Sequence, residues 1–494
     1  MVQITHTATH TLPNEALTGI TDLEIRGGVN PVLYIASEVT SGITAWTLQG
    51  GASASLFSEL TYAYDTGTFG IEEITLATVA GQDVLLPSGT YDNRLAIHRM
   101  DNDGSFGSIK ELWAPSDQIG HFSNTEIIQL DGKTFMVSSQ AGVGGFSTFR
   151  VRDDLSLEYR RHFDDNARAH ISTVEAMASA NFQTRSFFFV ASAAEDGVTA
   201  YWMGKWGNVR ERGTLDPGNG LFVDAPTALE TAEIGGRLYL IVAGSGSGTL
   251  SVIQVNQWGG LFMKDHLLDD LSTRFAGVTA LETVTVGQHT YLFAGGSDDG
   301  ISMFEITADG QLHHLLTLAD QLDTTLTNIT AIAATVVGTE LQVFVAGSEV
   351  GVTQFTVDLG ALGDQIVGSD THDVIHGTAN DDVIVGFDGN DTLYGGAGDD
   401  RIIDGAGVDE MWGESGADIF VFRQDNRMDN VMDFEDGIDK IDLTDFAMLY
   451  SIGQLTLVQK LYGVEISFGN DRFHIESASG ILQIADLTAD DFIF

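Results

Sequence analysis

An all-β fold in two parts, a seven-bladed β-propeller followed by a parallel β-roll, is what this 494-residue sequence predicts. Two repeat periods predict it. Between residues 32 and 360 an apolar strand, a run of small residues, a turn and a second alternating strand recur seven times, and from residue 368 the period drops to nine. The length exceeds one ordinary domain, and 43% hydrophobic against 19% charged residues suits packed cores rather than a disordered polymer.

The long-period copies read, for example, VLYIASEVTSGITAWTL, SFFFVASAAEDGVTAYWM and TYLFAGGSDDGISMFEI. The residues opening the second strand are Gly42, Arg94, Gly145, Gly197, Thr249, Gly300 and Gly351, at steps of 51 or 52. Each copy is preceded by another apolar strand and followed by a weaker fourth, and four strands per ~50 residues, repeated radially, is a propeller pattern. The seventh copy lacks its fourth strand. VQITHTATH, residues 2–10, alternates like a strand without a hairpin partner and is expected to supply that edge and close the ring. The aromatics Trp46, Phe149, Tyr201, Phe304 and Phe355 are expected between the blades.

The short-period units are GSDTHDVIH, GTANDDVIV, GFDGNDTLY, GGAGDDRII, DGAGVDEMW and GESGADIFV. Their sixth residues are Asp373, Asp382, Asp391, Asp400, Asp409 and Asp418; their eighth are Ile375, Ile384, Leu393, Ile402, Met411 and Phe420. Two units make one coil of a solenoid, with the eighth residue pointing inward. Glycine allows positive-φ turns that leave carbonyl oxygens pointing outward, and the aspartate adds a carboxylate, an oxygen set that suits calcium. The expected ligands and turn formers are the six aspartates with Asp388, Asp399, Gly386, Gly389, Gly395, Gly398, Gly407 and Gly416, holding several Ca2+ ions, up to about four. The first two units carry Thr371 and Asn380 where the others have glycine, so weaker binding is expected there.

The nonapeptides resemble the repeats-in-toxin (hemolysin-type) family of calcium-binding proteins exported by type I secretion, over roughly residues 366–494. VMDFEDGIDKIDLTDF (431–446) is similar to that family's post-repeat cap, and ADLTADDFIF to its C-terminal export signal. The resemblance implies an extracellular or cell-surface protein, a partnership with the type I secretion machinery, and a solenoid that folds where calcium is plentiful. Residues 361–494 hold 28 acidic and 6 basic groups, and such crowding opposes collapse until a cation binds. The expected division is propeller 1–360, roll 361–430, and cap with secretion signal 431–494.

The formal charge of −47 argues against nucleic acid or an anionic membrane as partner. No apolar run is long enough to span a bilayer, the first residues lack the pattern of a Sec signal peptide, and the absence of cysteine excludes disulfides and thiolate chemistry. H-E-x-x-H, G-x-S-x-G and phosphate-binding loops are absent too.

Units such as GISMFEITADGQL (300–312) resemble seven-bladed lactonase and surface-layer propellers, a likeness of architecture that brings no catalytic residue with it. Aligning the inner strands gives a column Asp22, Glu73, Glu126, Ala176, Ala228, Ala280, Ala331 and, two residues on, Glu24, Thr75, Ile128, Ala178, Glu230, Glu282, Ala333. If both columns face the channel, five acids, Asp22, Glu73, Glu126, Glu230 and Glu282, converge there, enough for a second cation site or an acid/base pair. His121 and His170 stand just before inner strands and are candidates for the same mouth. Two roles fit the ring: a non-enzymatic extracellular module that binds a glycan, a surface or copies of itself, or a hydrolase or lactonase working at the channel. The lack of a complete catalytic constellation leans toward the first.

Overall fold

The computed structural model describes every residue except 1, 13–16, 63–69, 90–93, 114–121, 141 and 167, with backbone alone at 94–95 and 111–113. Among the described residues, seven four-stranded antiparallel sheets follow one another along the chain, each an inner strand, two buried middle strands and a half-exposed outer strand. Blade five is typical: Pro226–Ile234, Arg237–Gly244, Thr249–Val255 and Leu261–Leu268. Arg237–Gly244 is buried at seven of eight positions because both its faces meet neighbouring blades, whereas Leu261–Leu268 alternates, as an outer strand must with one face in solvent. Trp46, Phe149, Tyr201, Phe304 and Phe355 are all buried in the cores between blades.

The seventh sheet holds Ala331–Val337, Glu340–Ala346 and Val352–Asp358, and its outer strand is Gln3–His10, paired antiparallel with Val352–Asp358. Threonine hydroxyls at the start of inner strands tie blade to blade: Thr227 donates to Val278 O, Thr279 to Ile329 O and, across the closure, Thr330 to Ile20 O at 2.7 Å. Deleting residues 2–10 should therefore expose the edge of Val352–Asp358. The expected result is a melting temperature lower by roughly 5–10 °C and concentration-dependent association in sedimentation; unchanged melting would refute the closing role.

After the ring the chain winds into a right-angled change of pattern: parallel strands 18 residues apart. One sheet runs Leu362–Val367, Asp381–Val385, Arg401–Ile403, Ile419–Val421, Lys440–Asp442 and Phe492–Ile493; the other begins Val374–His376, Thr392–Ala397, Glu410–Ser415 and Met428–Phe434. Ile384, Leu393, Ile402, Met411 and Phe420 are fully buried between the sheets, and Ile375 on the first coil nearly so. The first sheet lies against the propeller. Its outward residues Val383, Val385, Ile403 and Val421 share one apolar core with Tyr239, Ala308 and Leu312 of blades five and six. Around that core Arg423 pairs with Asp309 at 2.6 Å, and Arg401 meets both Asp442 and His313. The contacted turns join first to second and third to fourth strands, so the roll sits on the face opposite the channel mouth at the start of the inner strands.

Candidate metal centre and acidic channel

The repeat aspartates form a ladder along the roll. Oδ1 of each accepts the backbone N–H of the aspartate one coil earlier: Asp391 from Asp373 at 2.8 Å, Asp400 from Asp382 at 2.8 Å, Asp409 from Asp391 at 2.6 Å and Asp418 from Asp400 at 2.9 Å. The other oxygen is left over. Oδ2 of Asp391, Asp400 and Asp409 is buried with no protein hydrogen-bond partner. A buried carboxylate oxygen without a donor is costly unless a cation faces it. Desolvation, followed by the charges of carboxylates on neighbouring coils, pushes Asp400 and Asp409 up to about 7 and Asp418 to about 8. Asp373, at the open end, is instead lowered by hydrogen bonds from the Ser369 backbone and hydroxyl.

Glycine has two jobs here, and positive φ is only one. Gly398, Gly407 and Gly416 do adopt it, at +123°, +155° and +152°. Gly386, Gly389 and Gly395 do not, which corrects the sequence expectation for them; what they provide is space. A Cβ at Gly395 would stand 2.4 Å from Asp400 Oδ2, one at Gly386 2.9 Å from Asp391 Oδ2, and one at Gly389 2.3 Å from Asp391 Oδ1. The bare position keeps open a cradle beside each carboxylate. These residues fit a hard cation: each turn offers a carboxylate oxygen lacking a donor, next to closely stacked carbonyl oxygens. Among the described residues no three acidic or histidine side chains meet as a ready-made cluster, so main-chain oxygens must complete any shell.

Position five adds a second ladder that sequence reasoning missed. Asp399 N–H donates to Asp381, Ala417 N–H to Asp399 Oδ1 and Val408 N–H to Asn390, all 18 residues apart. Asp388 stays exposed in a short pairing of 388–389 with 406–407. The first ladder also runs past residue 430 through Asp429 and Asp439, which accept from Asp409 and Asp418 at steps of 20 and 21. Their changed spacing hid them from a nine-residue search. Asp404, at a position where other units have glycine, is a further buried acid with an unpartnered oxygen.

The ring's channel opens into a cavity of about 790 Å³ lined by Asp22, Glu24, Glu73, Glu126 and Glu230 among others. Glu282 lies close enough to Glu230 and Asp22 for their charges to act on it. The inner-strand column needs one correction. Glu126 pairs with Val137 and Thr125 with Ser138, whereas Ala176 pairs with Ala191; Asn124, not Glu126, therefore occupies the mouth column, because the blade-three inner strand begins early with a bulge between Phe122 and Thr125. A slip of two preserves the side, so Glu126 still faces inward. Glu126 joins Glu24, Glu230 and Glu282 in a deeper ring, and Glu24 is a sixth acid the candidate set omitted. His170 does not reach the mouth: it is held by Asp216 at 3.0 Å, over the third and fourth strands of blade four. His121 lies outside the described residues.

Five of the six acids latch one blade to the next. Asp22 accepts Ile74 N–H, Glu73 accepts Thr125 N–H, Glu282 accepts Ala334 N–H, and Glu126 and Glu230 accept the Ser179 and Thr283 hydroxyls. Surrounded by protein though touching channel water, they are pushed up by desolvation, Asp22 to about 6, Glu126 to about 7 and Glu230 to about 8. Glu24 is raised well above the usual range, by desolvation and then by four acidic neighbours. Such a carboxyl costs the fold nothing below about pH 4, where both states are protonated, and most above its folded value. Glu24→Gln should raise the propeller's melting temperature at pH 8.5 by about 1–3 °C and leave it unchanged at pH 4; equal shifts at both would rule out charge as the cause.

Residues 360–386, 367–402 and 385–420 match the model of the RTX calcium-binding nonapeptide repeat, present in four copies per match. No curated protein sequence matches the chain. Solved structures similar to it include the Dos1 propeller, at 12% identity over 68% of this chain and 78% of that one with a TM-score of 0.45. Another is a functionally unknown protein from Desulfotomaculum acetoxidans, at 10% identity over 65% and 94% with a TM-score of 0.44.

Proposed function

We propose, from the RTX calcium-binding nonapeptide repeats that occupy residues 360–420, that this is a calcium-dependent protein exported by a type I system, whose propeller serves outside the cell as a binding module. The observation that carries the reading is the set of buried aspartate oxygens without donors, each beside a glycine cradle. Asp382, Asp391, Asp400, Asp409 and Asp418 would hold calcium, with carbonyl oxygens of Gly386, Gly389, Gly395, Gly398, Gly407 and Gly416 near them. Bound calcium would neutralise the stacked carboxylates. The chain's own part is to fix one oxygen of each by a backbone N–H, leaving the other free and aimed into the turn. Type I export suits a roll that stays unfolded in a calcium-poor cytosol and gains its folding free energy outside.

The channel supports a binding role better than a hydrolytic one, because inter-blade hydrogen bonds account for five of its six acids. Calorimetric titration of the metal-depleted chain tests the reading. Calcium should bind with release of protons, so that apparent affinity falls as pH drops from 8 to 5.5; Asp400→Asn with Asp409→Asn should weaken it at least about tenfold. Binding that ignores both pH and these substitutions would overturn it.

A further inference from the structure

Ten of the chain's 23 basic residues lie within 133–212, against nine acids, while the chain as a whole is at −47. Part of that basic stretch is built as one arrangement used twice. Lys133, in the first turn of blade three, places Nζ 3.8 Å over the Trp206 ring of blade four and donates to Lys205 O. Arg185, 52 residues later, lies 4.0 Å over the Trp258 ring of blade five and donates to Gln257 O. Arg160 on the outer strand of blade three donates to Trp206 O at 3.2 Å and pairs with Glu158; its counterpart Arg212 packs against Gly259 beside Trp258. Trp206 and Trp258 are 63% and 60% exposed, and Arg160 and Arg212 are exposed as well.

The third equivalent, Arg237 of blade five, shows what such a cation takes. There the roll lays the Phe387 ring 3.4 Å from the guanidinium and sets Asp370 at 3.1 Å from it, a flat apolar face with an adjoining carboxylate. Because that surface of the roll is already used within the molecule, a second copy has no equivalent surface to offer the two open sites.

We propose that the Trp206 and Trp258 clusters are a duplicated docking site for an acidic polysaccharide. Each ring takes the apolar face of a sugar, and the flanking arginine and lysine take its carboxylate or sulfate. Two identical sites one blade apart suit a repeating polymer, which gains from simultaneous engagement. The chain's overall negative charge acts little on the patch, because it is screened beyond ~8 Å at physiological salt. The proposal rests on the propeller being a binding module and names its ligand class.

The test is affinity electrophoresis of the full, calcium-loaded chain through dextran sulfate, hyaluronate and neutral dextran. Retardation by the two acidic polymers only, reduced at least about tenfold in Trp206→Ala/Trp258→Ala, is expected. That variant changes no charge, so general polyanion attraction would survive it. Equal retardation of variant and parent, or equal binding of neutral dextran, would overturn the proposal, as would self-association in sedimentation that the same substitutions abolish. Arg160→Gln/Arg212→Gln should weaken binding with an unchanged melting curve. Because both tryptophans lie far from the roll's turns, calcium titration of the variants stays normal if only this proposal fails and is abnormal in the parent too if the calcium reading fails.

Discussion

Excess chelator added to the full chain should unravel the roll and leave the seven blades folded. Hydrogen exchange read by mass spectrometry would show amides of 382–421 losing protection while those of the inner blade strands keep it. The cause is the ladder of stacked carboxylates: Asp400, Asp409 and Asp418 sit in a folded coil that raises them to about 7 to 8, against about 3.9 in an unfolded chain. Without metal their penalty is absent below about pH 4 and complete above their folded values, so at pH 8 the bare coils repel themselves apart. Calcium at a hundred times its dissociation constant supplies about 2.7 kcal/mol per site, enough over a few sites to decide whether a small solenoid exists. Lowering the pH to about 5 in chelator should restore part of the protection by protonating the same groups. Full protection at pH 8 in chelator would contradict the account. The shared core of Val383, Val385, Ile403 and Val421 with blades five and six adds a corollary: amides at Tyr239 and Leu312 should become more labile together with the roll.

Gly407→Ala should abolish calcium-induced folding of the roll. A Cβ there would fall 1.5 Å from Gly389 O, on a residue at φ +155°. Both atoms belong to the backbone of stacked coils, so neither can move aside as a side chain would. The cost expected is above about 4 kcal/mol, in the class of severe backbone strain and steric overlap. Gly480→Ala is the control, since nothing lies within 4 Å of its added methyl and its φ is ordinary; its effect should stay within about 0.5 kcal/mol. Circular dichroism during calcium titration separates the two, and a normal titration of the Gly407 variant would show that the coils are not stacked as described.

Both architectures were legible in the sequence for physical reasons. A strand that alternates, turns and repeats at a constant step has few ways to bury its apolar face, and Gly42, Arg94, Gly197, Thr249 and Gly300 each open a strand of the structure. The nine-residue register likewise fixed which side chains point inward. What stayed hidden depended on contacts between distant segments. The docking of the roll was encoded in its ninth positions, where Val385, Ile403 and Val421 alternate with His376, Tyr394 and Trp412. The first three pack on the propeller and the last three stack in a ladder on the other sheet, at 4.5 and 4.7 Å. That alternation was visible, but only the partner surface gives it meaning. The Asn124 column slip arose from a bulge, which sequence spacing does not register. The latching role of the channel acids required knowing which N–H of the next blade lay opposite.

Calcium positions in an anomalous difference map from crystals of the full chain grown in millimolar calcium test the central claim most directly. The account predicts peaks in the turns between successive coils, each within about 2.3–2.6 Å of the second oxygen of an aspartate among Asp382, Asp391, Asp400, Asp409 and Asp418. Ordered coils with no anomalous peak at any of these turns would contradict it.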